Sequence, residues 1–301
     1  MSGYCSNINL KVNQKMKKDK KKYEIEFSHE DKVLFPQSGI TKGDLLRYYE
    51  KIAPNFITHA KGHCVVMQRF PNGIEEGFYQ KEIPDYFPSW IPRKTVELKN
   101  DKKQTLVLIE KKEDLLYLAN QGVITPHLWL SDASKPDFPT KIVFDLDPSV
   151  KNLSLLHDAA HQIKAMLESH GLVPFVMTTG SRGYHVAAPL KPVHDFDFVH
   201  NFSHAVAQEL VHNNAEHFTI TMNKSERGKK VFIDYLRNGY GQTSVAPYAV
   251  RAHEGAPLAT PIDWDELTTT PPQKYTIKNI FRRLAKKEDS WKNFKTFERT
   301  L

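Results

Sequence analysis

Lys141-Ile142-Val143-Phe144-Asp145-Leu146-Asp147 is an apolar run interrupted at every second position by a carboxylate near its end. Its residues read as a β-strand, and strand side chains alternate between faces. Asp145 and Asp147 therefore share one face, while Ile142, Phe144 and Leu146 point to the other. A helix follows over 153–169, with Leu156, Ala160, Ile163 and Leu167 along one side. A second strand is expected over 172–178, the turn Thr179-Gly180-Ser181-Arg182-Gly183 after it, and a third strand over 184–189. Phe198, Phe202, Val206 and Leu210 are in register along a second helix, and 231–236 closes the set as a fourth strand.

The order β-α-β-β-α-β is the split arrangement of ferredoxin-like and RNA-recognition folds. In that topology the first and third strands are central and the fourth flanks the first. His185 then sits beside the Asp145 strand on one side and Asp234 on the other, so that three carboxylates and a histidine converge on one open face.

Upstream, Thr41 followed by Asp44 resembles a helix cap, and Leu45, Tyr49, Ile52 and Phe56 recur at helical spacing, which predicts a helix over 41–58. Short strands are expected at 63–69, 77–81, 96–98 and 105–110, giving a smaller β-rich lobe. Residues 1–26 are polar and lysine-rich and read as a flexible basic arm, either a solubilising tail or a DNA contact. The remainder, 27–301, reads as one catalytic domain. It comprises an N-terminal lobe over 27–140, the catalytic sheet over 141–268 and a C-terminal helical segment over 269–301.

Hydrophobic residues make up 40% of the 301, enough for a substantial core. Cys5 and Cys64 are the only cysteines, which excludes a disulfide framework or a cysteine zinc site and favours a reducing cytoplasm. No stretch approaches the roughly 20 apolar residues of a membrane span, so no membrane partner is expected. A formal charge of +7 favours polyanionic partners, nucleic acid first.

Carboxylates on a central strand are costly unless their charge is compensated, and Mg²⁺ or Mn²⁺ supplies that compensation through hard oxygen ligands. On its own an Asp-x-Asp pair leaves a solvated strand end open as the alternative. Asp195-Phe196-Asp197 repeats the spacing but opens a helix, where acids satisfy free N–H groups, and is assigned to capping. His157 and His161, four apart, are assigned to a solvated helix face because no carboxylate motif completes a metal set. The 179–183 turn offers glycines, hydroxyls and Arg182 to phosphates, an ordinary hairpin being its alternative. Arg69 near Phe70, and Lys81 after Phe78 and Tyr79, interleave cations with aromatics in a manner suited to nucleic acid, although strand aromatics also serve cores.

Together these residues resemble the polymerase domain of bacterial ATP-dependent DNA ligase D, within the archaeo-eukaryotic primase superfamily. The blocks that carry the resemblance include Asp31-Lys32-Val33-Leu34-Phe35-Pro36, Arg69-Phe70-Pro71-Asn72-Gly73, Val143-Phe144-Asp145-Leu146-Asp147-Pro148, Gly180-Ser181-Arg182-Gly183-Tyr184-His185, Phe232-Ile233-Asp234 and the run from Val245 to Ala252. They follow the family order from about 29 to 268. The resemblance implies an α+β, two-lobed, primase-like fold. It further implies a DNA-dependent nucleotidyltransferase that extends primer 3′-hydroxyls at gaps and breaks in end-joining repair and prefers ribonucleotides.

Asp145, Asp147 and Asp234 become the catalytic acids that bind two Mn²⁺ or Mg²⁺ ions. His185, Arg237 and Arg251 become contacts of the nucleoside triphosphate, with Thr179 and Arg182 in the turn, His127 near the primer end, and Arg69 and Lys81 on the nucleotide and template side. Lys32 falls where the family binds a DNA 5′-phosphate. Two departures stand out: the turn carries Thr179 and Arg182 where the family usually has serine and lysine, and Ile124-Thr125-Pro126 precedes His127 where it has Leu-Glu-Leu. A Ku-type end-binding protein and a DNA ligase are the partners implied, ligation being supplied from outside these 301 residues. A non-catalytic DNA-end-binding module and a two-metal nuclease are the competing functions.

Overall fold

A computed structural model describes residues 25–98, 102–149 and 152–301. The expected basic arm lies outside the described residues as far as position 24. Ile25 already packs against the core, and the Glu26 carbonyl accepts a hydrogen bond from Asn120.

The chain starts with a two-stranded ribbon, β1 (Val33–Phe35) and β2 (Ile40–Thr41), and then enters α1 (Lys42–Ala60). Thr41 Oγ1 accepts from the Asp44 amide while Asp44 accepts from the Thr41 amide, the reciprocal cap that the sequence announces. Leu45, Tyr49, Ile52 and Phe56 form its buried face, as the periodicity predicts.

Next come β3 (His63–Arg69), β4 (Phe78–Gln80), β5 (Arg93–Glu97), β6 (Lys103–Leu108), α2 (Lys112–Asn120) and β7 (Val123–Asp132). The second half holds β8 (Lys141–Pro148), α3 (Leu153–Ser169), β9 (Phe175–Thr178), β10 (Tyr184–Pro189), α4 (Phe196–Asn213), β11 (Phe218–Thr219), β12 (Val231–Asp234), β13 (Thr243–Val245), β14 (Thr260–Ile262) and α5 (Ile280–Leu284).

Two six-stranded sheets result. The first runs β13-β7-β3-β6-β5 with β4 paired to β3, so a strand from the second half completes the sheet of the first. The second runs β11-β12-β8-β10-β9-β14. Its inner four strands are the fourth, first, third and second of the β-α-β-β-α-β unit, the order that the split arrangement requires.

Ile142, Phe144 and Leu146 bury one face of β8 against Leu156, Ile163 and Leu167 of α3 and Val206 and Leu210 of α4. Val143 of the opposite face joins a second cluster with Tyr49, Met67, Leu128, Ile280 and Trp291. That cluster draws on residues before 140, after 141 and beyond 269 alike, so the lobes are joined by one continuous core. The 269–301 segment contributes a single five-residue helix and a 3-10 turn at Phe294–Phe297.

One expected core residue is displaced. Phe198 is 47% exposed and stacks on His194, whereas Phe196, Val199, Val206 and Leu210 face inward. The cap at Asp195, whose carboxylate accepts from the Phe198 amide, sets the helix phase, and Phe198 lies about 100° from Val199 around the axis. The Asp195-Phe196-Asp197 pair is thus a helix start, as assigned.

Candidate active site

Strand register assembles the site. Asp145 on β8 stands directly opposite His185 on β10 and directly opposite Asp234 on β12, and Asp147 stands opposite Phe232. Directly paired side chains on neighbouring strands lie about 5 Å apart at Cβ. Asp145, Asp147, Asp234 and His185 line one cleft of about 390 Å³, together with Thr179, Arg182, Arg237 and Arg251. His127 enters from the other sheet, on β7, so the cleft lies at the seam of the two sheets.

The 3-10 turn Leu236–Asn238 aims Arg237. Beyond Asp234 the edge of β8 is no longer covered by β12, and the Asn238 side chain fills the gap. It accepts from the Val143 amide at 2.8 Å and donates to the Val143 carbonyl at 2.8 Å. Asp234 accepts from the Leu236 amide at 2.9 Å. Arg237 is thereby placed with Nε 3.1 Å from Asp234 and Nη2 3.5 Å from Asp145.

Two glycines shape the 179–183 turn. Gly180 has φ +64° and packs against the backbone of Leu258 and Ala259, and a Cβ at Gly183 would collide with the Leu146 carbonyl oxygen between the two aspartates. The Thr179 hydroxyl donates to the Gly183 carbonyl at 3.0 Å, so it closes the turn. Arg251 is fixed by donating to the Thr179 carbonyl at 2.9 Å. Arg182 reaches both oxygens of Asp147 at 2.9 and 3.0 Å.

Burial would raise the Asp145 pKa, but His185, Arg237 and Arg251 outweigh it and hold the group at about 2. Asp147 and Asp234 are pushed the other way, by burial and by the Asp145 charge, against Arg182 and Arg237 respectively. His127 is held well below its usual range by burial and by Arg251, Arg237 and His185, so it is neutral. Its buried Nε2 lacks a hydrogen-bond partner.

This donor set fits divalent cations. Three hard carboxylates share one face, burial and the Asp145 charge push Asp147 and Asp234 toward protonation, and the Arg237 guanidinium lies between Asp145 and Asp234 where a cation is favoured. A tighter acidic trio, Asp263, Asp265 and Glu266, has oxygens within 4.8 Å of one another. Lys287 Nζ already lies 2.5, 3.7 and 3.3 Å from these three acids, and Arg283 lies 2.7 Å from Glu266. That trio is an ion-pair network.

Three expected residues lie outside this cleft. Arg69 is spent internally, with Nη1 on Gln80 and Tyr86 at 2.7 and 2.8 Å and Nε on the Gln121 carbonyl at 3.0 Å. Lys81 is exposed just beyond β4. Lys32 donates to the Pro71 carbonyl at 2.5 Å and lines a separate groove of about 250 Å³ with His29, Lys42 and Asn120. His157 approaches the Tyr184 hydroxyl at 3.3 Å and His161 leans on Trp264.

The cleft also contains Ser181, one of the turn hydroxyls, and residues that the sequence did not nominate: Lys224, Arg227 and Ser244. Arg227 packs on the Phe232 ring at 3.6 Å and lies 3.8 Å from Asp147. Its position in Arg227-Gly228-Lys229-Lys230, just ahead of the strand carrying Asp234, was the available signal. Tyr79 stands edge-on to His127 at the mouth of the cleft, 58% exposed.

A sequence profile described as the primase-polymerase domain of LigD matches residues 41–291. The chain belongs to the LigD primase-polymerase family. It is accordingly a nucleotidyltransferase, of a metal-dependent kind. The chain is 31% identical over 264 residues to the multifunctional non-homologous end joining protein LigD of Mycolicibacterium smegmatis, covering 86% of this chain and 34% of that protein. It is 28% identical over 266 residues to the bifunctional non-homologous end joining protein LigD of Bacillus subtilis, covering 87% of this chain and 43% of that protein. It thus spans less than half the length of these relatives. The fold is that of the Mycobacterium tuberculosis ligase D polymerase domain, solved in complex with DNA: TM-score 0.85, 29% identity, 92% of this chain and 100% of that chain. The primase-like fold expected from the resemblance is therefore observed.

Proposed function

We propose that this LigD-type domain adds nucleotides, ribonucleotides by preference, to primer 3′-hydroxyls at gaps and broken DNA ends during end joining. The observation that carries the reading is the convergence of Asp145, Asp147 and Asp234 in a cleft that also holds Arg182, Lys224, Arg227, Arg237 and Arg251. Five cations against three carboxylates leave a positive surplus, which suits a triphosphate. The preference for ribonucleotides rests on the family resemblance.

In this reading the primer 3′-oxygen attacks the α-phosphorus, the new P–O bond forming as the bond to pyrophosphate breaks. Two Mn²⁺ or Mg²⁺ ions, held by Asp145, Asp147 and Asp234, would lower the pKa of the attacking hydroxyl and neutralise charge on the triphosphate and its leaving group. Arg182, Arg237, Arg251 and His185 hold the triphosphate, and Thr179 keeps the turn closed around it. Neutral His127 directs its free Nε2 to the primer end. Arg69 braces the strand pair on which Tyr79 stacks a base, and Lys81 follows the template backbone.

The groove of Lys32 and Lys42 takes the 5′-phosphate across the gap. Lys42 is half-anchored by donating to the Ser28 carbonyl at 2.6 Å, and its pKa is lowered by burial and by Lys32, the mark of two cations facing one space. DNA carrying gaps or double-strand breaks, a Ku-type end-binding protein and a DNA ligase complete the proposed setting, in the cytoplasm. Among the described residues no helix is long and apolar enough to cross a membrane.

The test is extension of a gapped, 5′-phosphorylated duplex with ribo- and deoxyribonucleotides in Mg²⁺ and in Mn²⁺. Asp145→Asn is expected to lower incorporation at least about 100-fold while leaving binding to 5′-phosphorylated ends within about twofold. Undiminished extension by that variant overturns the mechanism.

A further inference from the structure

β8 carries a charged residue at each end of the face that bears Val143. Asp145 and Asp147 lie at the active-site end, and Lys141 lies at the other. At about 3.3 Å per residue, Lys141 is some 13 Å along the strand from Asp145. It is only 8% exposed. Among the described residues its ammonium has neither an ion pair nor a hydrogen bond.

Lys141 opens on a cavity of about 370 Å³, separate from the active-site cleft. Lys135, Lys292 and Lys295 line it, as do the hydroxyl residues Ser134, Thr140 and Thr296. Buried Trp291 and Phe294, stacked at 4.8 Å, wall one side.

Two carboxylates reach this cavity, and neither neutralises Lys141. Asp132 is engaged by Ser134, whose amide and hydroxyl donate to it at 2.8 and 2.6 Å. Glu298 has no ion pair to Lys141. Lys292 is partnered outward by Glu288 at 3.1 Å. His63, beside the cavity, is pushed down to about 3 by burial and by Lys141 and Lys295. It is neutral and adds no charge of either sign.

Lys141 shares the cavity with Lys295, whose charge disfavours its own, and an anion between the two ammonium groups would relieve that repulsion. We propose that this cavity is a second binding site, for a phosphate-type oxyanion held between Lys141 and Lys295. Burial and Lys295 lower the Lys141 pKa to about 8, which leaves the ammonium charged at neutral pH and ready for that ligand. The oxyanion is either a free phosphate group, as on a nucleotide, or a phosphodiester of a DNA segment lying across the face opposite the active site.

The test uses the whole chain and inorganic phosphate as the probe, titrated at constant ionic strength against chloride and followed by amide NMR. Resonances of residues 134, 135, 140 and 293–296 are expected to shift saturably. Lys141→Met and Lys295→Glu should each weaken the apparent affinity at least tenfold. Lys295 is exposed, so its variant keeps the fold, and its primer extension should equal wild type. Phosphate should also raise the thermal midpoint of the wild type and not that of Lys141→Met.

A duplex with unphosphorylated ends supplies the second arm. If it moves the same resonances, the ligand is a phosphodiester; if only phosphate and adenosine monophosphate move them, the ligand is a small anion. Shifts confined to the active-site cleft, or shifts in this cavity that neither substitution weakens, overturn the proposal.

Discussion

Asp145 keeps its charge in a nearly closed environment because His185, Arg237 and Arg251 face it, and each of these side chains has a second task in the proposed reaction. The same economy applies at Asp147. Its partner Arg182 has a side chain 61% exposed, and an ion pair that open contributes at most about 1 kcal/mol. Arg182 is therefore free to leave Asp147 for an incoming phosphate. Arg182→Ala is expected to weaken nucleotide binding about tenfold, the loss of one charged hydrogen-bonded contact. Arg182→Lys, which restores the cation usual in the family, should stay within about threefold of wild type. Nucleotide KM in primer extension reads both, and an Ala variant with unchanged KM would confine Arg182 to screening Asp147.

At the scale of elements, the site depends on how closely β8 and β10 approach at the 179–183 turn. Gly183 lies against the Leu146 carbonyl with no room for a Cβ. Gly183→Ala must push the strands apart where they carry Asp145 and His185. A cost of about 1–3 kcal/mol is expected, as for other overpacked sites, with a larger fractional loss of extension activity than of folded protein. Urea midpoints beside specific activity provide the check; full activity in the variant would mean the turn has slack.

β8 was legible in the sequence because its two faces differ, and β10 and β12 because each is a short apolar run set off by turn residues. One face of β8 packs on α3 and α4, and the other carries the acids, which leaves an alternation to read. β7 was missed for the opposite reason. Nine of its ten residues are buried, so no alternation appears, and Pro126 argues against an interior strand. Pro126 is tolerated there because its carbonyl still accepts from the Ala246 amide, at 3.1 Å. α2 was missed because a lysine stands at its cap; Asp114, from inside the helix, accepts from the Glu110 and Lys111 amides instead. Lys224 was illegible as a site residue, since only the folded connection between β11 and β12 brings it to the cleft, whereas Arg227 had its basic run ahead of the Asp234 strand as a signal.

Across the whole molecule, the sheet that delivers His127 to the cleft also buries His63 at its far end, and both imidazoles are kept neutral. His63 has a folded pKa of about 3 against about 6.5 in the unfolded chain, because burial and the nearby lysines disfavour its charged form. Between those values the unfolded chain binds a proton that the folded chain refuses. Stability is therefore complete above about 6.5 and falls as the pH drops toward 3, by about 1.4 kcal/mol per pH unit for this one group. His127 acts in the same direction. Asp114 acts against them below pH 6, since burial raises its pKa to about 6 and the folded chain takes up that proton first. The net slope mixes these contributions, but a substitution isolates one of them. In His63→Asn the amide can still donate to the Trp129 and Ser131 carbonyls that His63 Nδ1 contacts at 3.0 and 2.9 Å, while the titrating group is gone. The difference in unfolding free energy between wild type and His63→Asn, measured by urea titration in phosphate-free buffer, should shrink in the wild type's disfavour by about 1.4 kcal/mol for each unit from pH 6 to pH 4.5. A difference that stays constant over that range would show that His63 accepts its proton in the folded protein, and hence that the lysines at the end of β8 do not bear on it.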